Sequence, residues 1–309
     1  MGIKARRYAD ILAGAPEYVT GRQEEWKAFL ATAARNYKYP YYDQLMIYLQ
    51  RPEATACAEY DFWFDAMHRY VKRGAKGIAL VDSEGDSPRL RYVFDVADTG
   101  ARSNSRPVWL WQMKEEYRNP VMAALERAYG VSGENLSLEA QLEQVAGRLA
   151  ADYWMDYGRQ ISGIVADSFL EEYDEFNIGI AFRKAVQASI VYTLSVRCAE
   201  DTESQFEPED FRDVSDFNTR QTAAALGTAV SSLSGEVFRE IERAIRDYER
   251  TKAQERSQNY EERNNIQAGR GLSSSGDQAE RDDREASGQI REDAQGISEG
   301  EQSDTVQRS

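Results

Sequence analysis

One stretch of this chain changes its hydrophobic period, and that change limits what the rest can build. Residues 77–81, Gly-Ile-Ala-Leu-Val, form a short apolar run. Residues 89–96 alternate, with Leu90, Tyr92, Phe94 and Val96 on one face and Arg89, Arg91, Val93 and Asp95 on the other. Between them lies the turn chemistry of residues 82–88, Asp-Ser-Glu-Gly-Asp-Ser-Pro. A period of two on both sides of a turn predicts a half-buried hairpin. Nearly everything around it carries a helical period. The expected fold class is therefore α+β: a small antiparallel sheet with flanking helices, followed by a helical region and a disordered C-terminal tail.

The helices are read from 3–4 spacing. Trp26, Phe29, Leu30, Ala33, Ala34 and Tyr37 predict an amphipathic helix over residues 21–36, with Thr20 as N-cap and Gln23 completing a capping box. A short helix follows Pro40, carries Gln44, Leu45, Met46, Ile47 and Leu49, and stops before Arg51 and Pro52. A third is expected over residues 59–70, bearing Phe62, Trp63, Ala66 and Met67. From Pro120 to about residue 250 the pattern is helical. Residues 181–196 are apolar on most sides, which places them in a core. The last helix carries Leu233, Val237, Ile241, Ile245 and Tyr248, with Glu242 and Arg246 as an i,i+4 pair.

Three regions follow: an N-terminal unit over 1–119, a helical region over 120–250, and a tail over 251–309. The tail's large apolar residues are isolated, so it cannot bury enough surface to offset its ordering entropy. It reads as a disordered linker or free arm, most flexible at residues 269–276, and its linker-like character is that of a piece of a longer protein. The overall net charge of −15 is uneven. Residues 1–130 sum to +2, residues 131–250 to −12 and the tail to −5. A globally acidic chain repels nucleic acid at long range, so only the first 130 residues can offer a surface for it.

Catalytic chemistry finds little here. The single histidine, His68, excludes any metal site that needs two, and Cys57 and Cys198 are too few to replace them or to build a disulfide framework. Both read as inert buried thiols in a reducing compartment, the cytoplasm. No apolar run is long enough for a bilayer. No nucleophile elbow, phosphate loop or paired-carboxylate signature is present. Asp82, Glu84 and Asp86 lack the remaining ligands of a calcium loop and read as a solvated turn. His68 has no partner at catalytic spacing, and Trp26, Trp63, Trp109 and Trp111 read as core. The expectation is a non-catalytic chain with no cofactor and no metal.

The informative motifs run from residue 26 to 111. After Trp26 come residues 36–47 (Asn-Tyr-Lys-Tyr-Pro-Tyr-Tyr-Asp-Gln-Leu-Met-Ile) and residues 50–55 (Gln-Arg-Pro-Glu-Ala-Thr). Trp63 and residues 68–78 (His-Arg-Tyr-Val-Lys-Arg-Gly-Ala-Lys-Gly-Ile) follow, then residues 92–99 and the pair Trp109 and Trp111. This order resembles the N-terminal single-stranded-DNA-binding domain of ArdC-type antirestriction proteins. It is similar also to the start of large conjugative-element proteins of Gram-positive bacteria that carry helicase and methylase modules further on. The resemblance implies a mobile-element protein that binds DNA, with a helicase or methylase module as partner. Pro40, Asp43 and His68 depart from the family's usual Ser, Asn and Gly. The metalloprotease-like domain of antirestriction proteins has no counterpart here.

Single-stranded binding needs cations that track phosphates and rings on which bases stack. Tyr37, Tyr39 and Tyr41 are interleaved with Lys38; Arg69, Lys72, Arg73 and Lys76 cluster in a glycine-flanked loop; Arg89 and Arg91 share one strand face. These ten residues are the candidate nucleic-acid-binding set. The competing reading takes the acidic 131–250 region as a protein-interaction or DNA-mimicking module acting on restriction or conjugation machinery.

Overall fold

The computed structural model describes residues 3–82, 87–198 and 206–271, with side chains to Tyr260. Seven helices and five short strands are present among them: α1 (Ile3–Thr20), α2 (Gln23–Arg35), α3 (Tyr41–Gln50), β1 (Cys57–Glu59), β2 (Arg69–Val71), β3 (Ile78–Asp82), β4 (Arg89–Asp95), β5 (Thr99–Ala101), α4 (Glu115–Tyr129), α5 (Leu138–Ser162), α6 (Glu175–Cys198) and α7 (Arg220–Gly271). The fold is α+β, with two small antiparallel sheets flanked by helices and a helical region after them. Among the described residues no helix is long and apolar enough to cross a membrane.

The hairpin forms as its period requires. β3 pairs with β4 from Ile78 opposite Val93 to Asp82 opposite Arg89, and β1 adds to the other edge of β4. The turn itself and the calcium reading of Glu84 and Asp86 lie outside the described residues. β4 turns an unexpected face inward. Val93 and Asp95 are buried, whereas Tyr92 is exposed. The cause is a polar anchor: the Asp95 carboxylate accepts N–H bonds from Thr55, Ala56 and Ala97 at 2.6, 3.0 and 2.9 Å, which draws that face to the backbone before β1. Gln50 then caps the edge strand. Its amide donates to the Ala79 carbonyl at 2.8 Å and accepts the Ala79 N–H at 2.9 Å, imitating one more rung of the ladder.

Other local readings shift. Thr20 ends α1, and its hydroxyl donates to the carbonyls of Pro16 and Phe217; α2 begins after Arg22 instead. Residues 59–70 are not one helix. A single π turn, Phe62–Ala66, stands between β1 and β2, and β2 pairs with β5 in a second sheet. The aromatic spacing there mimics a helical period, but pairing with distant strands wins.

The chain divides into two units, residues 1–249 and 250–309. The boundary expected at 119/120 is not a packing boundary, because residues of α1, α2 and α3 share one buried cluster with residues of α4 to α7. A smaller cluster, Met46, Ile47, Ala54, Ile78, Leu80 and Val93, joins α3 to the three-stranded sheet. At the other boundary, α7 continues to Gly271, so residues 251–271 are helical rather than part of a disordered tail. Residues 272–309 lie outside the described residues.

Helix contacts depend on missing side chains. The indole of Trp154 lies over Gly158 of its own helix and against Gly179 of α6, where any Cβ would stand 2.7 Å from the ring. The ring of Tyr41 fills the space beside Gly227 of α7. Among the described residues, its buried hydroxyl has no hydrogen-bond partner. A buried unsatisfied hydroxyl costs about 1–3 kcal/mol. Tyr41→Phe should therefore raise the free energy of unfolding in urea by about 1 kcal/mol. Gly227→Ala should lower it by about 1–3 kcal/mol through overpacking. Destabilisation by Tyr41→Phe would show that the hydroxyl has a partner.

Candidate nucleic-acid interface

The structure separates the ten candidate residues. Tyr37 and Tyr41 are buried in the core and cannot stack on a base; this corrects the expectation for both. Tyr37 packs against Phe238 of α7 at 5.0 Å between ring centroids, and its hydroxyl donates to the Glu242 carboxylate. Burial and that acceptor push the Tyr37 phenol above its ordinary value. Tyr39 is half-buried and donates to the Cys57 carbonyl at 2.9 Å; burial again raises its pKa. Lys38 keeps an exposed side chain but pairs with Glu242 at 3.0 Å. Tyr37 and Tyr41 are drawn to the distant helix α7, which no local pattern announces, whereas Tyr39 is tied to β1.

Arg91 is also engaged. It bridges Asp43 and, at 3.3 Å, Glu59. Asp43 is thus a buried structural anion turned toward Arg91 rather than a charge facing a ligand. Burial raises its pKa, and Arg91 only partly opposes that shift. Arg89 is exposed at the end of the hairpin, on the same strand.

The remaining four stay together on β2 and the loop after it. Arg69 donates through Nε to the Thr99 hydroxyl at 2.8 Å. The Lys72 ammonium donates to the Ala97 carbonyl at 2.9 Å, and Lys72, Arg73 and Lys76 are exposed. Gly74 takes φ +86°, a left-handed turn that suits glycine. Gly77 instead meets β4 closely: a Cβ there would lie 3.1 Å from the Phe94 ring. Its role is packing, not an opening for phosphate.

Beside this loop are exposed rings that the residue pattern did not single out. Tyr60, Phe64 and Tyr70 are 49%, 40% and 43% exposed. Tyr60 and Phe64 stack with centroids 6.0 Å apart and planes 10° from parallel. The guanidinium of Arg102, just past β5, sits 5.0 Å from the Phe64 centroid and 6.0 Å from that of Tyr70. The Tyr70 ring lies across Gly100 of the paired strand, a place only a residue without Cβ leaves open. The π turn presents Phe64 outward while Trp63 goes in, its indole N–H donating to the Phe94 carbonyl at 2.9 Å. No ion pair engages Arg73, Lys76 or Arg102 among the described residues. The position of Tyr70 inside the 69–76 cluster was the available sequence signal; Arg102 had none.

The other expected features divide similarly. Trp26, Trp63 and Trp111 are buried, but Trp109 is 36% exposed, with the Arg246 guanidinium 4.5 Å from its centroid. Burial pushes both thiols up to about 12. No group of three metal-binding side chains stands together among the described residues.

Glu242 carries the clearest pH linkage. Burial alone would raise its carboxyl, but the Tyr37 hydroxyl, Lys38 and Arg246 outweigh burial and hold it below the ordinary 4.5. A depressed folded pKa gives stability that is complete above the unfolded value and is lost as pH falls through the folded one. Glu242→Gln should therefore flatten the fall of Tm between about pH 5 and 3. A fall as steep as that of the parent would overturn this assignment. No family model, no curated protein and no solved structure matches this chain.

Proposed function

We propose that this chain is a DNA-binding module, selective for single strands, of a mobile-element or antirestriction-type protein, and that it is non-catalytic, acting in the cytoplasm beside a helicase or methylase module. The observation that carries the proposal is the exposed ring surface of Tyr60, Phe64 and Tyr70 with Arg102 among them and Lys72, Arg73 and Lys76 on the adjoining loop. Rings supply faces for bases, and unpaired cations track the phosphates. The site proposed is thus Tyr60, Phe64, Tyr70, Arg69, Lys72, Arg73, Lys76 and Arg102, with Arg89 nearby in sequence on β4.

Two features support the likeness to the ArdC-type domain. His68 stands where that family's pattern has Gly, and it adopts φ +53°, a left-handed conformation that glycine takes without strain. The step Gln50, Pro52, Ala54 is structural in each member: Gln50 caps β3, while the carbonyls of Pro52 and Ala54 accept from Thr32, Arg35 and Asn36 at the end of α2.

A band-shift titration with single- and double-stranded oligonucleotides at several salt concentrations tests the reading. Replacing Lys72, Arg73 and Lys76 together by Ala should reduce the log–log salt slope by about 2 without lowering Tm. The Tyr60→Ala, Phe64→Ala pair should weaken binding roughly tenfold or more at all salts. No retention of single strands at low salt would overturn the proposal.

The second reading keeps one observation of its own. A cleft of about 680 Å³ in the helical region is lined by Glu139, Glu143, Glu209, Asp210 and Asp213, with Lys184 as the one lining cation among the described residues. Such a surface suits a basic partner, as a DNA mimic would. Capture of a restriction or conjugation subunit that is lost when these acids are neutralised, with no DNA binding, would favour it.

A further inference from the structure

Two guanidinium groups remain that main-chain carbonyls, rather than ion pairs, hold in place among the described residues. Arg35 ends α2, and Arg197 is in the last turn of α6. Both are half-buried, and neither is in an ion pair among the described residues. Main-chain carbonyls hold them instead. Arg35 donates through Nε to Ala54 at 3.0 Å and through Nη2 to Pro52. Arg197 donates through Nη2 to Trp111 at 2.7 Å and through Nη1 to Ala34 at 3.3 Å, and stacks 3.9 Å from the Trp111 centroid. Nη1 of Arg35 and Nε of Arg197 have no acceptor among the described residues. Burial lowers both pKas; Asp95 and Glu53 act against it at Arg35, and at Arg197 Glu242 acts against it while Arg35 adds to it. Two like charges, partly desolvated and outside any ion pair among the described residues, would gain from an anion that joins them.

Both groups line a cleft of about 490 Å³, within the range of small-molecule sites. Its other walls include Glu242, which Lys38 and Arg246 pair, Phe62, half-exposed, and Trp109, one face of which Arg246 covers. A second cleft, of about 430 Å³, also reaches Arg35 and Arg197, but Trp111, the only ring lining it among the described residues, is buried. Fixed donors for an anion and ring walls for a flat group therefore coincide only in the first.

We propose that this cleft binds a nucleoside monophosphate, its phosphate between Arg35 and Arg197 and its base against Phe62 and Trp109. The guanidiniums are pre-oriented by carbonyls, so little rotamer freedom is lost on binding, and their forked N–H groups match phosphate oxygens. This site is separate from the ring surface of Tyr60, Phe64 and Tyr70, and does not depend on strand binding there.

Protection from phenylglyoxal, mapped by peptide mass spectrometry on the full-length chain, tests it without altering a residue. Thymidine monophosphate should protect Arg35 and Arg197, and thymidine should not. Calorimetry should then show that Phe62→Ala weakens thymidine monophosphate about tenfold and leaves inorganic phosphate unchanged, while Tyr60→Ala with Phe64→Ala leaves both unchanged. The proposal is overturned by absence of protection at millimolar nucleotide, by equal affinity for phosphate and nucleotide, or by protection confined to Arg73 and Arg102. Those last two arginines report the strand surface, so its failure and the cleft's are read separately.

Discussion

The contact on which most of the molecule turns is the guanidinium of Arg197. It reaches from the end of α6 to the Ala34 carbonyl in α2 and the Trp111 carbonyl in the segment before α4, and it lies on the Trp111 ring. Trp111 donates to the Tyr37 hydroxyl, and both rings pack on Phe238 of α7. One side chain thereby joins the aromatic N-terminal block to two helices of the acidic region. A charge held directly by carbonyls and rings is fixed in place without an ion pair among the described residues. The same arrangement that ties the elements together leaves donors facing a cleft.

The small sheets are secured by polar groups rather than by area. Asp95 gathers three N–H groups ahead of β1 and after β4, and Gln50 completes the edge of β3. These bonds decide which face of β4 turns inward. They also leave the outer side of the second sheet free to display Tyr70 and to receive Arg102. Display of rings on a thin, two-stranded sheet is possible because stability is supplied elsewhere, in the cluster that runs through all seven helices.

Local patterns were legible where neighbours in sequence are also neighbours in space. The amphipathic stripe at Trp26, Phe29, Leu30 and Ala33 is α2; Pro40 and Pro52 bracket α3; alternation around residues 78–95 is the hairpin. The pattern misled where a remote partner sets the outcome. Thr20 has the chemistry of a cap, yet its hydroxyl reaches Phe217. Phe62, Trp63, Ala66 and Met67 have helical spacing, yet β1 and β2 on either side are held by Asp95 and Ala101 across long loops. Of the candidate site, the cluster Arg69, Lys72, Arg73 and Lys76 stayed together because it spans β2 and the short loop to β3. Tyr37 and Tyr41 did not, because α7 covers them, and Tyr39 is tied to β1.

Sequence alone determined the fold class, the helical and alternating segments, the uneven charge and the residue types available for binding. Those follow from periodicity and composition, which are properties of short stretches. Tertiary structure decided which rings are faces and which are filler. Tyr37 and Tyr41 look more accessible in sequence than Phe64 and Tyr70, but exposure is set by what packs opposite: Phe238 and Gly227 for the first pair, and Arg102 with Tyr60 and Gly100 for the second. It decided equally which cations are free. Arg91 meets Asp43 and Arg35 meets carbonyls, and a charge is neutralised or kept by its neighbours in space, not by its neighbours in the chain.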